Sequence, residues 1–213
     1  MLPQQATLIA RSSSHLSRVT RLVAAELGLE LPLQPVLDLT SQNPEDYGGN
    51  PALKVPVMHV DGAAFYGSLN ICRKLWSLAG KPDVALWPED LEDPVLSNAL
   101  ETVLNGMGSE VPLVMHRIAS QARGEAIPEP ATLAKTRASL AGCLDWLEQH
   151  LPTVLSMLPA DRPLCFLRIN LFCFLDHLQW REVMDLGPFP RLRAFRAEYA
   201  HRPAARATTY CFD

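Results

Sequence analysis

The chain has 213 residues, of which 48% are hydrophobic and 20% are charged, and its formal net charge is −4. This balance excludes a wholly disordered chain, and without a basic excess no nucleic-acid binding is predicted. The five cysteines contain no CxxC pair, which argues against a disulfide framework or a zinc ribbon and indicates a reducing, cytoplasmic compartment. The 18 prolines are scattered and predict breaks between elements.

Neither a targeting segment nor a membrane span is predicted. Residues 1–15 lack a basic start that is followed by an apolar core and a small-residue cleavage site. The most apolar stretch, residues 163–175, is interrupted by Arg168 and Asn170, and it is shorter than the roughly 20 residues that cross a bilayer.

The first 80 residues predict a mixed sheet with helices packed on it. Predicted strands cover residues 6–10, 33–39, 55–60 and 63–66, and predicted helices cover residues 16–27 and 68–78. Gly28 predicts the end of the first helix, and Pro35 marks the second strand as an edge strand or a late start. Asp61-Gly62 is typical of a hairpin turn.

The rest of the chain predicts helices alone. Residues 81–92 are rich in proline and acidic residues, as in a linker between domains. Beyond them, apolar residues recur at helical spacing in four segments, 95–107, 133–151, 165–180 and 189–199. The predicted domains are therefore residues 1–80 and 93–213, joined by the linker 81–92.

Three places have residues suited to binding a ligand. The Ser12-Ser13-Ser14 turn precedes the first helix, where free N–H groups and a hydroxyl can stabilise a thiolate; the alternative is plain helix capping. Val55-Pro56 opens a strand either with a cis peptide, which presents backbone to a ligand, or with an ordinary trans proline. At Gly67-Ser68, the start of a helix either holds a carboxylate or is simply capped.

The order and spacing of these places resemble the glutathione S-transferase family. The stretch NPALKVPVMHVDGAAFYGSLNICRKL, residues 50–75, resembles the family signature, and SSSHLSRV and FPRLRAFRAEYAHRPAARAT resemble its first helix and its ending. The resemblance covers nearly the whole chain and implies a serine-type, bacterial-like member of unassigned class. It implies a thioredoxin-like N-terminal domain and an all-helical C-terminal domain.

The resemblance also implies roles for single residues. Ser13 would be catalytic, donating a hydrogen bond to the glutathione sulfur and favouring the thiolate. The residues implied in glutathione binding are Ser14, His15, Lys54, Val55, Pro56, Gly67 and Ser68. Pro56 matches the family's cis-proline, Val55 would pair through its backbone with the cysteinyl part, and Ser68 would hold the γ-glutamyl carboxylate.

Two departures from the family pattern stand out. Gly67 replaces an acidic residue, so a charge-assisted hydrogen bond of about 1.5–3 kcal/mol to the γ-glutamyl amine would be missing. The family's capping box in the central C-terminal helix is replaced by Cys165-Phe166-Leu167-Arg168, with Asp161 as an alternative cap.

A pocket for the acceptor substrate is predicted from Met107, Met115, His116 and Phe166, in a cleft between the domains. The alternative for His116 is a helix-surface residue beside a methionine-rich core. His15 either biases the charge of a ligand or is a solvated first-turn residue. No metal site is predicted, because the histidines lack ligand spacing to other metal-binding side chains.

The leading hypothesis is a homodimeric transferase that adds glutathione to a small hydrophobic electrophile. A binding or regulatory protein that has lost glutathione binding is the first alternative, motivated by Gly67. A glutathione-dependent isomerase or reductase is the second alternative, although no cysteine stands at the serine turn to favour reduction.

Overall fold

The computed structural model describes residues 6–213, so residues 1–5 of the stretch searched for a targeting segment lie outside the described residues. The chain divides into two compact units. The first contains the described residues up to Ala85 together with Ala200–Asp213, and the second contains Leu86–Tyr199. The sequence-based domain bounds divide the chain differently and stay a prediction.

The first unit is built on a four-stranded mixed sheet in the order β2-β1-β3-β4. Its strands are β1 (Thr7–Ala10), β2 (Leu33–Pro35), β3 (Val57–Val60) and β4 (Ala63–Tyr66), and its first helices are α1 (His15–Glu26) and α2 (Ser68–Leu78). β2 is parallel to β1, whereas β3 is antiparallel to both β1 and β4. The expected mixed sheet is confirmed, with Pro35 on an edge strand.

Local chemistry explains where these elements begin and end. Gly28 follows α1 with a φ of 66°, which glycine adopts without strain, so the predicted helix stop is confirmed. Asp61 and Gly62 both have positive φ, as the type I′ hairpin turn requires. β2 is shorter than predicted because it ends at Pro35, whose nitrogen cannot donate to a ladder.

Apolar side chains of the first unit are buried in two places. α1 packs on α2, where the apolar residues Val19, Leu22, Ile71, Cys72 and Leu75 are fully buried. A separate buried cluster contains Ile9, Val36, Tyr47 and Val57. Burying these side chains is the main favourable contribution to the unit's stability, at roughly 1.5–3 kcal/mol for each large aliphatic residue.

The second unit is dominated by helices. These are α3 (Pro94–Arg123), α4 (Ala131–Met157), α5 (Phe166–Arg181) and α6 (Pro190–Tyr199), together with the 3-10 turn Pro88–Asp90 and the two-residue strand β6 (Leu164–Cys165). The two-residue strand β5 (Ala85–Leu86) spans the point in sequence at which the units divide, and the 3-10 turn Pro44–Tyr47 belongs to the first unit. All four predicted helices are present, and α3 continues well past residue 107, where the predicted segment ends. Among the described residues, no helix has both the length and the apolarity to cross a membrane.

Two expectations about helix boundaries are wrong. Pro112 lies inside α3 and Pro152 inside α4, although prolines were expected to separate elements. Each loses one backbone hydrogen bond, and the extensive packing of α3 on α4 outweighs that cost. Asp161 does not cap α5, because the N-cap is Cys165, which makes no side-chain cap hydrogen bond.

A buried ionisable pair joins α3 and α5. His177 Nδ1 lies 2.6 Å from Glu110 Oε1, and the side chains are only 5% and 0% exposed. The indole ring of Trp180 lies 5.8 Å from the imidazole ring. Such a short contact is typical of a charge-assisted hydrogen bond, and the two partners are 67 positions apart in sequence.

The first unit is completed by the short helix α7 (Pro203–Ala207). Arg202 holds it to the end of α1 through two contacts with Glu26 Oε1, 2.9 Å from Nε and 2.8 Å from Nη2. The sequence interpretation did not predict α7, because five residues are too few to show a helical period.

Candidate active site

The three ligand-binding candidates meet at one edge of the sheet. Ile9, Val57 and Tyr66 lie side by side across β1, β3 and β4. Because β3 runs opposite to its two neighbours, the ends of β1 and β4 and the start of β3 share this edge. The serine turn, Val55-Pro56 and Gly67-Ser68 come directly after or before those positions. The predicted site residues of the first unit are therefore clustered.

The three serines of the turn have different structural roles. The Ser14 N–H donates to the Arg11 carbonyl at 3.1 Å, which makes Ser12 and Ser13 the central residues of a tight turn. Ser14 is the N-cap of α1, and its Oγ accepts from the Ser17 N–H at 3.3 Å. Plain capping therefore accounts for Ser14 and does not account for Ser13, which is 5% exposed.

Val55 and Pro56 are joined by a cis peptide bond, as the first of the two alternatives requires. Pro56 is buried, Val55 is half-buried and Lys54 is exposed. The Pro56 carbonyl accepts from the Gly67 N–H at 3.1 Å, which ties this loop to the start of α2.

Asn50 organises the loop that leads to this bond. Its side chain is buried, with Nδ2 donating to the Lys54 carbonyl at 2.7 Å and Oδ1 accepting from the Ala52 N–H at 3.0 Å. The sequence interpretation treated Asn50 only as the start of a motif. A polar residue directly before a proline in a turn-rich stretch is the signal that could have identified it.

Gly48 fixes the same loop against the sheet. A Cβ there would lie 2.5 Å from Ile9 Cδ1, and the backbone φ is 63°, so a side chain would both clash and be strained. His59 Nε2 lies 2.9 Å from the Gly48 carbonyl oxygen. The loop is therefore held against the side chains of Ile9 and His59, and the positive φ with the close approach of Ile9 favours glycine at this residue.

Gly67 is the N-cap of α2 and has a φ of 81°. It provides no side-chain cap, and a Cβ there would meet no atom within 4 Å. Ser68 is the first residue of α2 and is half-buried. The first N–H groups of a helix lack intrahelical acceptors and carry partial positive charge, so this position suits a carboxylate.

His15 begins α1 and is 4% exposed, so the alternative of a solvated first-turn residue is wrong. The four residues predicted to line an acceptor pocket lie in the second unit. Met107 and Phe166 are buried in its core, whereas Met115 is 46% exposed. His116 lines a cavity of about 370 Å³, and the other three are not among the residues lining it. Their role toward an acceptor stays a prediction.

Comparisons with known proteins agree with this geometry. Residues 13–78 match the family model described as glutathione S-transferase, N-terminal domain. No curated protein sequence matches the chain.

Solved structures similar to the chain include glutathione S-transferases from Methylobacillus flagellatus with glutathione bound and from Methylobacterium radiotolerans in complex with glutathione sulfonate, and a glutathione transferase family member from Pseudomonas fluorescens with bound glutathione. Their sequence identities are 20%, 20% and 19%, and each has a TM-score of 0.73. The matches cover 97%, 98% and 97% of this chain and 100%, 96% and 100% of the others. At these identities the similarity establishes the fold.

Proposed function

We propose that this chain, which has the glutathione S-transferase fold and matches the family's N-terminal domain over residues 13–78, is a glutathione S-transferase. It would add the sulfur of glutathione to a small hydrophobic electrophile. The observation that carries the proposal is the clustering of Ser13, Val55 and Ser68 at one sheet edge, within the matched domain.

In the proposed mechanism, Ser13 Oγ donates a hydrogen bond to the glutathione sulfur. A hydrogen bond to the charged form stabilises the thiolate and lowers the thiol pKa. The thiol proton is lost to solvent, and the thiolate attacks the electrophilic carbon. The new carbon–sulfur bond forms either as a leaving group departs with its electron pair or as an activated double bond opens and takes up a proton from solvent. The backbone of Val55 orients the cysteinyl part, which supplies proximity. Ser14, His15 and Lys54 would line the rest of the glutathione site.

The first α2 N–H groups and the Ser68 hydroxyl would hold the γ-glutamyl carboxylate. Isothermal calorimetry with millimolar glutathione tests this binding directly. We expect saturable heat, and we expect Ser68→Ala to weaken binding by about tenfold, the effect of losing one hydrogen bond to a charged group. Ser77→Ala, on an exposed position of the same helix, is the matched control. No heat with the unaltered protein would exclude the proposed function.

Gly67→Glu is expected to strengthen glutathione binding. The new carboxylate can pair with the γ-glutamyl amine, for about 1.5–3 kcal/mol, and the open space around Gly67 admits the side chain. The positive φ costs about 1–2 kcal/mol of folding stability, but this strain is the same in the free and the bound protein and does not reduce the gain in affinity. Gly67→Ala carries the same backbone strain without the carboxylate, so the affinity ratio of the two variants isolates the charge. We expect that ratio to be about tenfold or more by calorimetry. A ratio of one would show that a carboxylate at this position contributes nothing to glutathione binding.

Gly67 also favours one other function, a binding or regulatory protein on the same fold that no longer uses glutathione. The two functions differ in a simple measurement. Ordinary turnover of an electrophile with glutathione excludes the binding protein, whereas absence of both binding and turnover favours it.

We also propose that the protein acts as a homodimer in the cytoplasm, as the family resemblance implies. The odd number of cysteines and the lack of a CxxC pair support a reducing compartment. Light scattering should give a mass near that of two chains, and a mass near one chain would exclude the dimer.

A further inference from the structure

The segment Thr208–Asp213 lies against the serine turn, within the same compact unit. Both carboxylate oxygens of Asp213 accept from the Ser12 N–H, at 3.1 and 3.0 Å, across 201 positions of sequence. Arg11 Nε lies 3.6 Å from the same carboxylate, whose side chain is only 6% exposed. A carboxylate is therefore nearly removed from water and held directly on the turn.

The rest of the segment is anchored on α1 by a buried arginine. Arg18 is 1% exposed, and its Nη2 donates to the Ala205 carbonyl at 3.1 Å. Its guanidinium lies 4.3 Å from the centre of the Tyr210 ring, within the range of a cation–π contact. Thr208 Oγ1 donates to the Ala204 carbonyl at 2.8 Å and closes α7. These contacts fix the path of the chain up to Asp213.

The charges along α1 suit an acidic residue at this place. Arg21 lies one helical turn beyond Arg18 and is half-buried. Burial lowers the pKa of Arg21 from its usual range, while Cys211 and Asp213 act in the opposite direction. The guanidinium of Arg11 beside the carboxylate, with the positive charges of Arg18 and Arg21 on α1, helps offset the cost of burying Asp213.

The Asp213 carboxylate accepts from an N–H group that the turn itself leaves without an acceptor. A tight turn pairs its first carbonyl with its fourth N–H, here Arg11 with Ser14, and leaves the N–H of its second residue unused. Asp213 takes up that N–H. Ser13 is the next residue of the turn, so this hydrogen bond restrains the backbone from which the Ser13 side chain projects.

We propose that Asp213 is a positioning residue of the candidate active site, whose carboxylate holds the serine turn so that Ser13 Oγ points toward the glutathione sulfur. The proposal rests on the proposed function of Ser13. It assigns Asp213 no contact with glutathione, so its removal should impair turnover more than binding.

The first measurement does not require glutathione. Hydrogen exchange of the Ser12 amide, followed by NMR on the full chain, is expected to be about tenfold or more faster in Asp213→Ala, since a hydrogen bond to a charged acceptor is lost. Asp213→Asn keeps an acceptor oxygen and should restore most of the protection. Glu30→Ala removes an exposed carboxylate from the same unit and is the control. Unchanged exchange in Asp213→Ala would overturn the proposal.

The second measurement separates positioning from general stability. With glutathione and an electrophile, Asp213→Ala should lower kcat by about tenfold while the glutathione Kd stays within about twofold, and Asp213→Asn should recover kcat. A rise in the glutathione Kd as large as the fall in kcat, together with a lower melting temperature, would overturn positioning in favour of a structural role. Tighter glutathione binding would overturn it in favour of a blocking role. If the unaltered protein binds no glutathione, the proposed function fails, while the exchange result still decides whether Asp213 holds the turn.

Discussion

Replacing Ser13 with alanine is expected to lower kcat/KM for glutathione conjugation at pH 7 by about 10²–10³-fold, the usual cost of removing one preorganised donor from a developing or bound anion. The hydroxyl would act by stabilising the thiolate, so its loss raises the pKa of the bound thiol. The deficit should therefore shrink as the pH rises above about 8.5, the ordinary thiol pKa, where the thiolate forms without help. A pH–rate profile of kcat/KM measures both the size of the loss and its direction.

Ser14→Ala is the comparison variant for this experiment, because Ser14 would line the glutathione site without donating to the sulfur. It removes the hydroxyl that caps α1 and should cost about 1 kcal/mol of stability, with little change in the pH–rate profile. If Ser13→Ala and Ser14→Ala lose the same activity, or if Ser13→Ala retains full activity at pH 7, Ser13 does not stabilise a thiolate.

Replacing Glu110 with alanine is expected to lower the free energy of unfolding by about 3–5 kcal/mol, because it leaves His177 buried without this acceptor and opens space between α3 and α5. Glu110→Gln keeps the shape and a hydrogen-bonding oxygen and should cost less, about 1–3 kcal/mol. Urea denaturation monitored by circular dichroism gives both values.

Glu125→Ala is the control for these two variants, since Glu125 is exposed in the turn between α3 and α4. Its substitution should change stability by no more than about 0.5 kcal/mol. Equal denaturation midpoints for Glu110→Ala and Glu125→Ala would show that the Glu110–His177 contact contributes nothing to the second unit.

Much of the fold could be predicted because its signals are local. The Asp61-Gly62 turn fixes the β3–β4 hairpin through backbone conformations that only a few residue types favour, and β4 has the predicted bounds. α2 begins at Ser68 and ends at Leu78, where the apolar periodicity places it. The clustering of the serine turn with Val55 and Ser68 follows from the strand order β2-β1-β3-β4, which the sequence analysis did not predict; the family resemblance implied a shared site without that order.

The missed features depend on partners that are distant in sequence. The Asp213 carboxylate accepts from Ser12, and Glu110 pairs with His177, but no periodicity or local motif connects residues so far apart. The acceptor-pocket prediction was made from residue type and helix position, which do not determine the side of a helix on which a side chain lies. Met115 is accordingly exposed, whereas Met107 is in the core.

The first unit is discontinuous in sequence, and this has a consequence for the order of events during synthesis. A ribosome releases the sheet, α1 and α2 first, then the whole of Leu86–Tyr199, and only then the residues that supply Ala205 and Asp213. Until that moment the Arg18 guanidinium lacks its Ala205 acceptor, although the helix that carries it can already form. Nascent chains stalled before Ala200 should therefore hold a sheet unit that is more easily digested by protease than the released protein, because its last stabilising contacts close the longest loop and form latest.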